Sequence, residues 1–299
     1  MNVKTFKEYK ELGISPDILF WVGCAGSYDD RAKKITKSLI NLFNKSGISF
    51  GVLGVEESCS GDPAKRAGNE FLFQMQALSN IEVLNSYQVK KIVTACPHCF
   101  NTIKNEYPEL GGIYEVVHHS QLIDQLINDG KLKIKDDQFN GKKITFHDPC
   151  YLGRANGEYY APRKVIKALR ADLKEMKSCK EKAMCCGAGG AQMFKDSEKG
   201  NKEINIKRTE EAIETKSNII AAACPFCNTM LSDGLKSYEN HKEIQVKDIS
   251  ESLGNVQILV KITNIQELGQ PRKKRLLVTA FDDSGTVQLV WFKGVKWIK

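Results

Sequence analysis

No stretch of these 299 residues approaches the roughly 20 consecutive apolar residues that a membrane-spanning helix requires. The longest apolar runs, residues 219–224 among them, are short, so any association with the inner face of a membrane is expected to run through a partner. Residues 1–10 are polar and lysine-rich and lack the apolar centre of a secretion signal, which points to the cytoplasm. In that reducing compartment ten cysteines are expected as thiols, ligands or redox groups, not disulfides. A large charge excess is also missing from most of the chain. Of the net +8, residues 254–299 carry +5, leaving +3 for residues 1–253, so the main body gives no electrostatic case for binding nucleic acid.

What is present is a repeat of thiols. Cys24 and Cys59 are separated by 34 residues, and so are Cys150 and Cys185. A Cys-Pro-x-Cys follows in each half, at Cys96-Pro97-His98-Cys99 and Cys224-Pro225-Phe226-Cys227. Self-similarity at this scale means two copies of one domain. The copies differ at Ser60, where the second half has Cys186 inside Cys185-Cys186-Gly187-Ala188-Gly189-Gly190. Four candidate thiolates therefore stand in the first half and five in the second. Cys179 falls outside the pattern and reads as a spare thiol.

Short apolar runs predict strands at 17–23, 48–55, 90–95, 143–146 and 218–223. Periodicity predicts helices at 28–45, 71–86, 162–169 and 203–214, with Phe71, Met75, Leu78 and Leu84 as core positions of the second. Most cysteines fall just past strand ends, where open α/β sheets bind ligands. The expected architecture is two α/β domains, residues 15–128 and 141–253, related by pseudo-two-fold symmetry, with their thiols gathered at sheet edges. Residues 254–299 change character and read as a short β segment.

Zinc and iron–sulfur clusters are the two physical options for such thiols. Zinc takes four ligands in a closed site. Five sulfurs exceed that need and suit a cluster of several irons. Gly187, Gly189 and Gly190 would let backbone N–H groups approach cluster sulfides. They do not match G-x-G-x-x-G after a strand, so a dinucleotide site is not indicated. His147, just before Asp148-Pro149-Cys150, could donate to a cluster, although a core histidine is the commoner case. His118-His119 reads as a strand-end or capping feature.

The pattern of Cys, 34 residues, Cys-Cys-Gly and then Cys-x-x-Cys resembles the cysteine-rich CCG domain family, over about residues 15–250. That family includes heterodisulfide reductase components and iron–sulfur proteins of glycolate, lactate and glycerol-3-phosphate oxidation. Cys59-Ser60-Gly61-Asp62-Pro63-Ala64, Cys96-Pro97-His98-Cys99-Phe100-Asn101 and His147-Asp148-Pro149-Cys150-Tyr151-Leu152-Gly153-Arg154 resemble the branch that passes electrons from electron-transfer flavoprotein toward quinone. The resemblance implies an oxidoreductase subunit working beside a partner with ferredoxin-type domains and membrane helices. It implies a non-cubane [4Fe-4S] cluster on Cys150, Cys185, Cys186, Cys224 and Cys227; Ser60 departs from that pattern in the first half, where Cys24, Cys59, Cys96 and Cys99 could still ligate an ordinary four-thiolate cluster. Strands are predicted in the tail at 256–262, 275–281 and 286–292. The tail resembles a truncated part of the wedge OB-fold of RecG-type helicases; its basic run 271–275 suits phosphate contact with nucleic acid, although a solvated hairpin is the commoner case.

Overall fold

The computed structural model describes residues 3–134, 139–196, 199–241, 243–253, 261–268, 275–282 and 285–291, the last three as backbone only. The chain divides near Val256 into two compact units.

In the first half, α1 (Phe6–Glu11) precedes β1 (Ile18–Trp21), α2 (Gly23–Tyr28), α3 (Ala32–Lys45), β2 (Phe50–Gly51), α4 (Asp62–Arg66), α5 (Glu70–Ser86), β3 (Lys91–Thr94), α6 (Pro97–Asn101), β4 (Glu115–His118) and α7 (His119–Asn128). The second half runs β5 (Lys143–Phe146), α8 (Tyr160–Ala168), β6 (Asp172–Lys174), α9 (Ile204–Glu214), β7 (Ile219–Ala222), α10 (Pro225–Leu235) and β8 (Gln245–Asp248). Each half is a parallel four-stranded sheet, ordered β2-β1-β3-β4 in one and β6-β5-β7-β8 in the other. Identical order in both sheets is the duplicated α/β architecture expected from the repeat.

The strand order reverses between β1 and β3, and again between β5 and β7. These are the points where connections leave in opposite directions and open a crevice beyond the strand ends. Central strands β1 and β7 are buried along their whole length, as a parallel sheet covered on both faces requires. Cys24 follows β1, Cys96 follows β3, Cys150 follows β5 and Cys224 follows β7, so both crevices are lined with sulfur.

Three expectations need correction. The helix predicted from residue 28 begins at Ala32, because Asp29 Oδ1 accepts from the N–H groups of Arg31 and Ala32 and starts a new turn there. The strand predicted over 48–55 joins the sheet only at Phe50–Gly51, and Val52 makes an isolated parallel bridge to Thr5. On α5, Phe71, Met75 and Leu78 are exposed, whereas Phe73, Ala77, Ile81 and Leu84 form the buried face. The apolar residues of that helix are spread around its whole circumference, so periodicity could not choose its face. Phe73 chooses it, by packing over Gly61 where φ is +88° and an added Cβ would lie 2.7 Å from the ring. Gly61→Ala is therefore expected to lower stability by about 1–3 kcal/mol, through left-handed strain and overpacking, as measured by denaturant unfolding. A stability change within error of zero would refute this packing account.

The second unit contains β9 (Lys261–Leu268), β10 (Arg275–Asp282) and β11 (Gly285–Trp291), an antiparallel meander ordered β11-β10-β9. The first of its predicted strands extends past the expected end at residue 262 to Leu268. Residues 256–260 and 292 of the prediction lie outside the described residues.

Candidate metal centre

The nine patterned cysteines converge at the carboxyl ends of the two sheets. Cys96, Cys99, Cys186, Cys224 and Cys227 are buried, while Cys24, Cys59, Cys150 and Cys185 are half-buried. In the first site the Cys24 thiol hydrogen-bonds to Cys59, whose sulfur also accepts from Gly61 N–H at 3.5 Å. Those two donors bring Cys59 down to about 7 against the opposing effect of burial. Ser60 Oγ donates to Cys99 Sγ at 3.5 Å, so the serine that replaces a cysteine still faces this site.

In the second site Cys185 accepts from the thiols of Cys150 and Cys186 and from the N–H groups of Gly187 and Gly189. These donors hold it well below the ordinary thiol range. Gly187 N–H lies 3.3 Å from that sulfur. Cys150 is pushed up as a donor to Cys185, then further by burial. Cys227 bonds to both Cys186 and Cys224.

The two sites touch. The Cys96 thiol donates to Cys224, which joins Cys99, Cys96, Cys224, Cys227, Cys186, Cys185 and Cys150 into one chain of thiol contacts across both halves. Cys179 is not among these contacts; its thiol is raised mainly by burial.

His118 stitches this seam. Its Nε2 lies 3.3 Å from Ala95 O and its ring also bonds the Ala223 backbone, so it reaches both residues just ahead of Cys96 and Cys224. Carbonyls only accept, so Nε2 carries the proton. Its Nδ1 accepts from Ser120 N–H and caps α7, which is the strand-end capping role expected of this histidine pair. His119 Nε2 reaches Asp248 Oδ1 of the other half at 3.1 Å, both side chains fully buried.

Three further groups brace the cysteine loops. Glu57 accepts from Val22 and Gly23 N–H at 3.1 and 2.6 Å, fixing the turn that presents Cys24, and burial raises its carboxyl to about 7. Asp148 takes a bidentate grip from Arg163 at 2.7 and 2.9 Å and also accepts Lys180 N–H at 2.7 Å. Arg208 Nε donates to His147 Nδ1 at 2.9 Å. His147 is buried, and burial first and the Arg208 charge second depress it to about 3. Its ring and the sulfurs of Cys186 and Cys227 place ligand-type atoms within 4.8 Å of one another. Of these groups only Asp148 and His147 stand inside a conspicuous motif. Glu57, Arg163 and Arg208 carry no sequence signal, because their partners are distant in the chain.

Residues 18–104 and 144–232 match the model of the CCG cysteine-rich domain. The chain belongs to the CCG cysteine-rich domain family. Among CCG relatives, the probable iron-sulfur-binding oxidoreductase FadF of Bacillus subtilis is 45% identical over 253 residues, covering 84% of this chain and 36% of that protein. The EtfAB:quinone oxidoreductase of Syntrophomonas wolfei is 44% identical over 243 residues, covering 79% and 34%. One component of the dihydromethanophenazine:CoB--CoM heterodisulfide reductase of Methanosarcina barkeri is 36% identical over 246 residues, covering 79% and 58%. The chain thus spans about a third of the first two proteins. The CCG match ends at residue 232, and the expected likeness of the tail to a RecG wedge receives no support. Among the described residues no helix is long and apolar enough to cross a membrane.

Proposed function

We propose that the two cysteine-rich domains, residues 15–128 and 141–253, form an iron–sulfur electron-relay module of an oxidoreductase, with residues 254–299 as a separate segment. The observation that carries this reading is the run of thiol contacts from Cys99 to Cys150 through the Cys96–Cys224 contact. Two thiol sets meeting at one seam suit two redox groups held side by side.

The donor set fits such groups. Cys150, Cys185, Cys186, Cys224 and Cys227 would hold one cluster, and Cys24, Cys59, Cys96 and Cys99 the other. Five thiols in the second set exceed the four that zinc takes. When bound, iron–sulfur clusters supply one-electron acceptance and release at potentials tuned by their surroundings. The chain's own part is to supply thiolates, orient them on rigid strand ends and bring backbone N–H groups to the sulfurs. Burial of Cys96, Cys99, Cys186, Cys224 and Cys227 keeps water from the seam, while half-buried Cys24, Cys59, Cys150 and Cys185 leave each set an outward edge. Gly187, Gly189 and Gly190 keep side chains off the second edge, and around Gly189 and Gly190 an added Cβ would meet nothing within 4 Å.

Relatives named as an EtfAB:quinone oxidoreductase, a membrane-anchored ferredoxin and a heterodisulfide reductase component support an assignment in an oxidoreductase complex. The donor is then an electron-transfer flavoprotein or similar carrier. The acceptor is a quinone or disulfide, reached through a ferredoxin-bearing membrane partner.

A zinc-stabilised scaffold is the second reading, favoured by the closeness of the Cys186 and Cys227 sulfurs. Anaerobic reconstitution followed by iron, acid-labile sulfide and zinc analysis separates the two. Iron and sulfide together with an EPR-active reduced state are the expected result. Zinc alone, with no labile sulfide, would overturn the electron-relay reading.

A further inference from the structure

Three residues ahead of the first cysteine of each site stands a ring that can carry an N–H: Trp21 before Cys24 and His147 before Cys150. Trp21 closes β1, and His147 directly follows β5. Both are buried. Trp21 Nε1 has no hydrogen-bond partner among the described residues. Indole can only donate, and a buried donor left without an acceptor costs about 1–3 kcal/mol. That nitrogen faces the first site, since a Cβ placed on Gly23 would lie 4.0 Å from Trp21 Nε1 and 3.5 Å from Cys99 Sγ. An acceptor belongs there.

At the second site, the His147 ring beside Cys186 and Cys227 would by itself pass for a metal ligand. Arg208 decides otherwise. Its Nε–H lies 2.9 Å from His147 Nδ1, and a guanidinium has no acceptor to offer. Nδ1 must therefore present its lone pair, which leaves the ring proton on Nε2. A protonated nitrogen cannot bind a metal, but it can donate to sulfur. Arg208 is itself held in place, because Nη1 donates to Ser178 O at 2.8 Å and to Glu211 Oε2 at 2.7 Å.

We propose that Trp21 and His147 are matched N–H donors to the sulfur-rich group of each site, and that Arg208 is the positioning residue that makes His147 a donor and bars it from the ligand set. The identity of the acceptor rests on the iron–sulfur reading; the tautomer of His147 does not. Hydrogen bonds to cluster sulfurs favour the more negative, reduced state and so raise the potential.

The tautomer is tested on the full chain, metal-free and labelled with 15N-histidine, by long-range proton–nitrogen correlation. His147 is expected to show Nε2 protonated and Nδ1 as acceptor; a protonated Nδ1 overturns the role of Arg208. Arg208→Gln, whose amide accepts as well as donates, is expected to shift the ring toward the Nδ1–H form. Arg208→Lys, a donor only, is expected to retain the native tautomer. The wild-type spectrum decides the point even if Arg208→Gln fails to fold.

The donors are tested after reconstitution, with labile sulfide measured on each sample. His147→Leu is expected to lower one of the two midpoint potentials and Trp21→Phe the other. Each loss is three- to tenfold in the ratio of reduced to oxidised cluster at fixed potential, where tenfold is about 59 mV for one electron. Potentials unmoved by both changes, or moved together by either, overturn the donor assignment. Absence of labile sulfide from the wild type refutes the iron–sulfur reading and with it the sulfur acceptor, while the tautomer stands or falls on the nitrogen spectrum.

Discussion

Cys185→Ala is expected to remove about half of the iron and acid-labile sulfide from the reconstituted chain, while the EPR signal of the other site persists. Cys185 is the hub of the second set, because Cys150, Cys186, Gly187 N–H and Gly189 N–H all direct hydrogens at its sulfur. Without it the strand-end thiol Cys150 and the helix-start pair Cys224 and Cys227 lose the sulfur at the centre of the set. The first set sits just after β1, just after β3 and in the loop after β2, and keeps its four thiols. Cys179→Ala is the matched control and is expected to lose nothing. Full iron and sulfide in Cys185→Ala, or an equal loss in Cys179→Ala, would remove Cys185 from the ligand set.

Arg163→Leu is expected to destabilise the fold by about 3–5 kcal/mol, read from the denaturant midpoint at unchanged slope. Arg163 joins two carboxylates. It grips Asp148 at 2.7 and 2.9 Å and Glu175 at 2.7 and 2.9 Å. Arg163 and Asp148 are both buried. Removing the cation leaves the buried Asp148 without its ion-pair partner, and the cost of an uncompensated buried charge exceeds any gain from the added leucine. Asp148 also fixes Lys180 N–H, so the strain should spread into the segment leading to Cys185. Asp148→Asn with Arg163 intact keeps the shape and is expected to lose less. A change below about 1 kcal/mol for Arg163→Leu would show that water reaches the pair.

The repeat was legible because ligand chemistry constrains residue type, and a cysteine at fixed spacing is visible whatever surrounds it. Strands such as 143–146 were legible because a covered parallel strand is largely apolar. Short edge strands were not. β6 and β8 carry little apolar pattern, because pairing more than burial holds them. The face of α5 was misjudged for a related reason. With apolar residues on every side, only the position of Gly61 under Phe73 selects which of them turn inward.

The sequence by itself determined that two copies of one α/β unit each carry a cysteine set, that the second has one thiol more, and that the chain belongs with CCG proteins. All of this is written in residue type and spacing. Only the tertiary structure decided that the two sets meet at Cys96 and Cys224, that His118 joins the residues ahead of them, and that Arg208 sets the proton on His147. Each of those contacts joins residues from different elements, far apart in the chain. Bringing the ends of two sheets to one seam creates such proximity, and no local pattern encodes it.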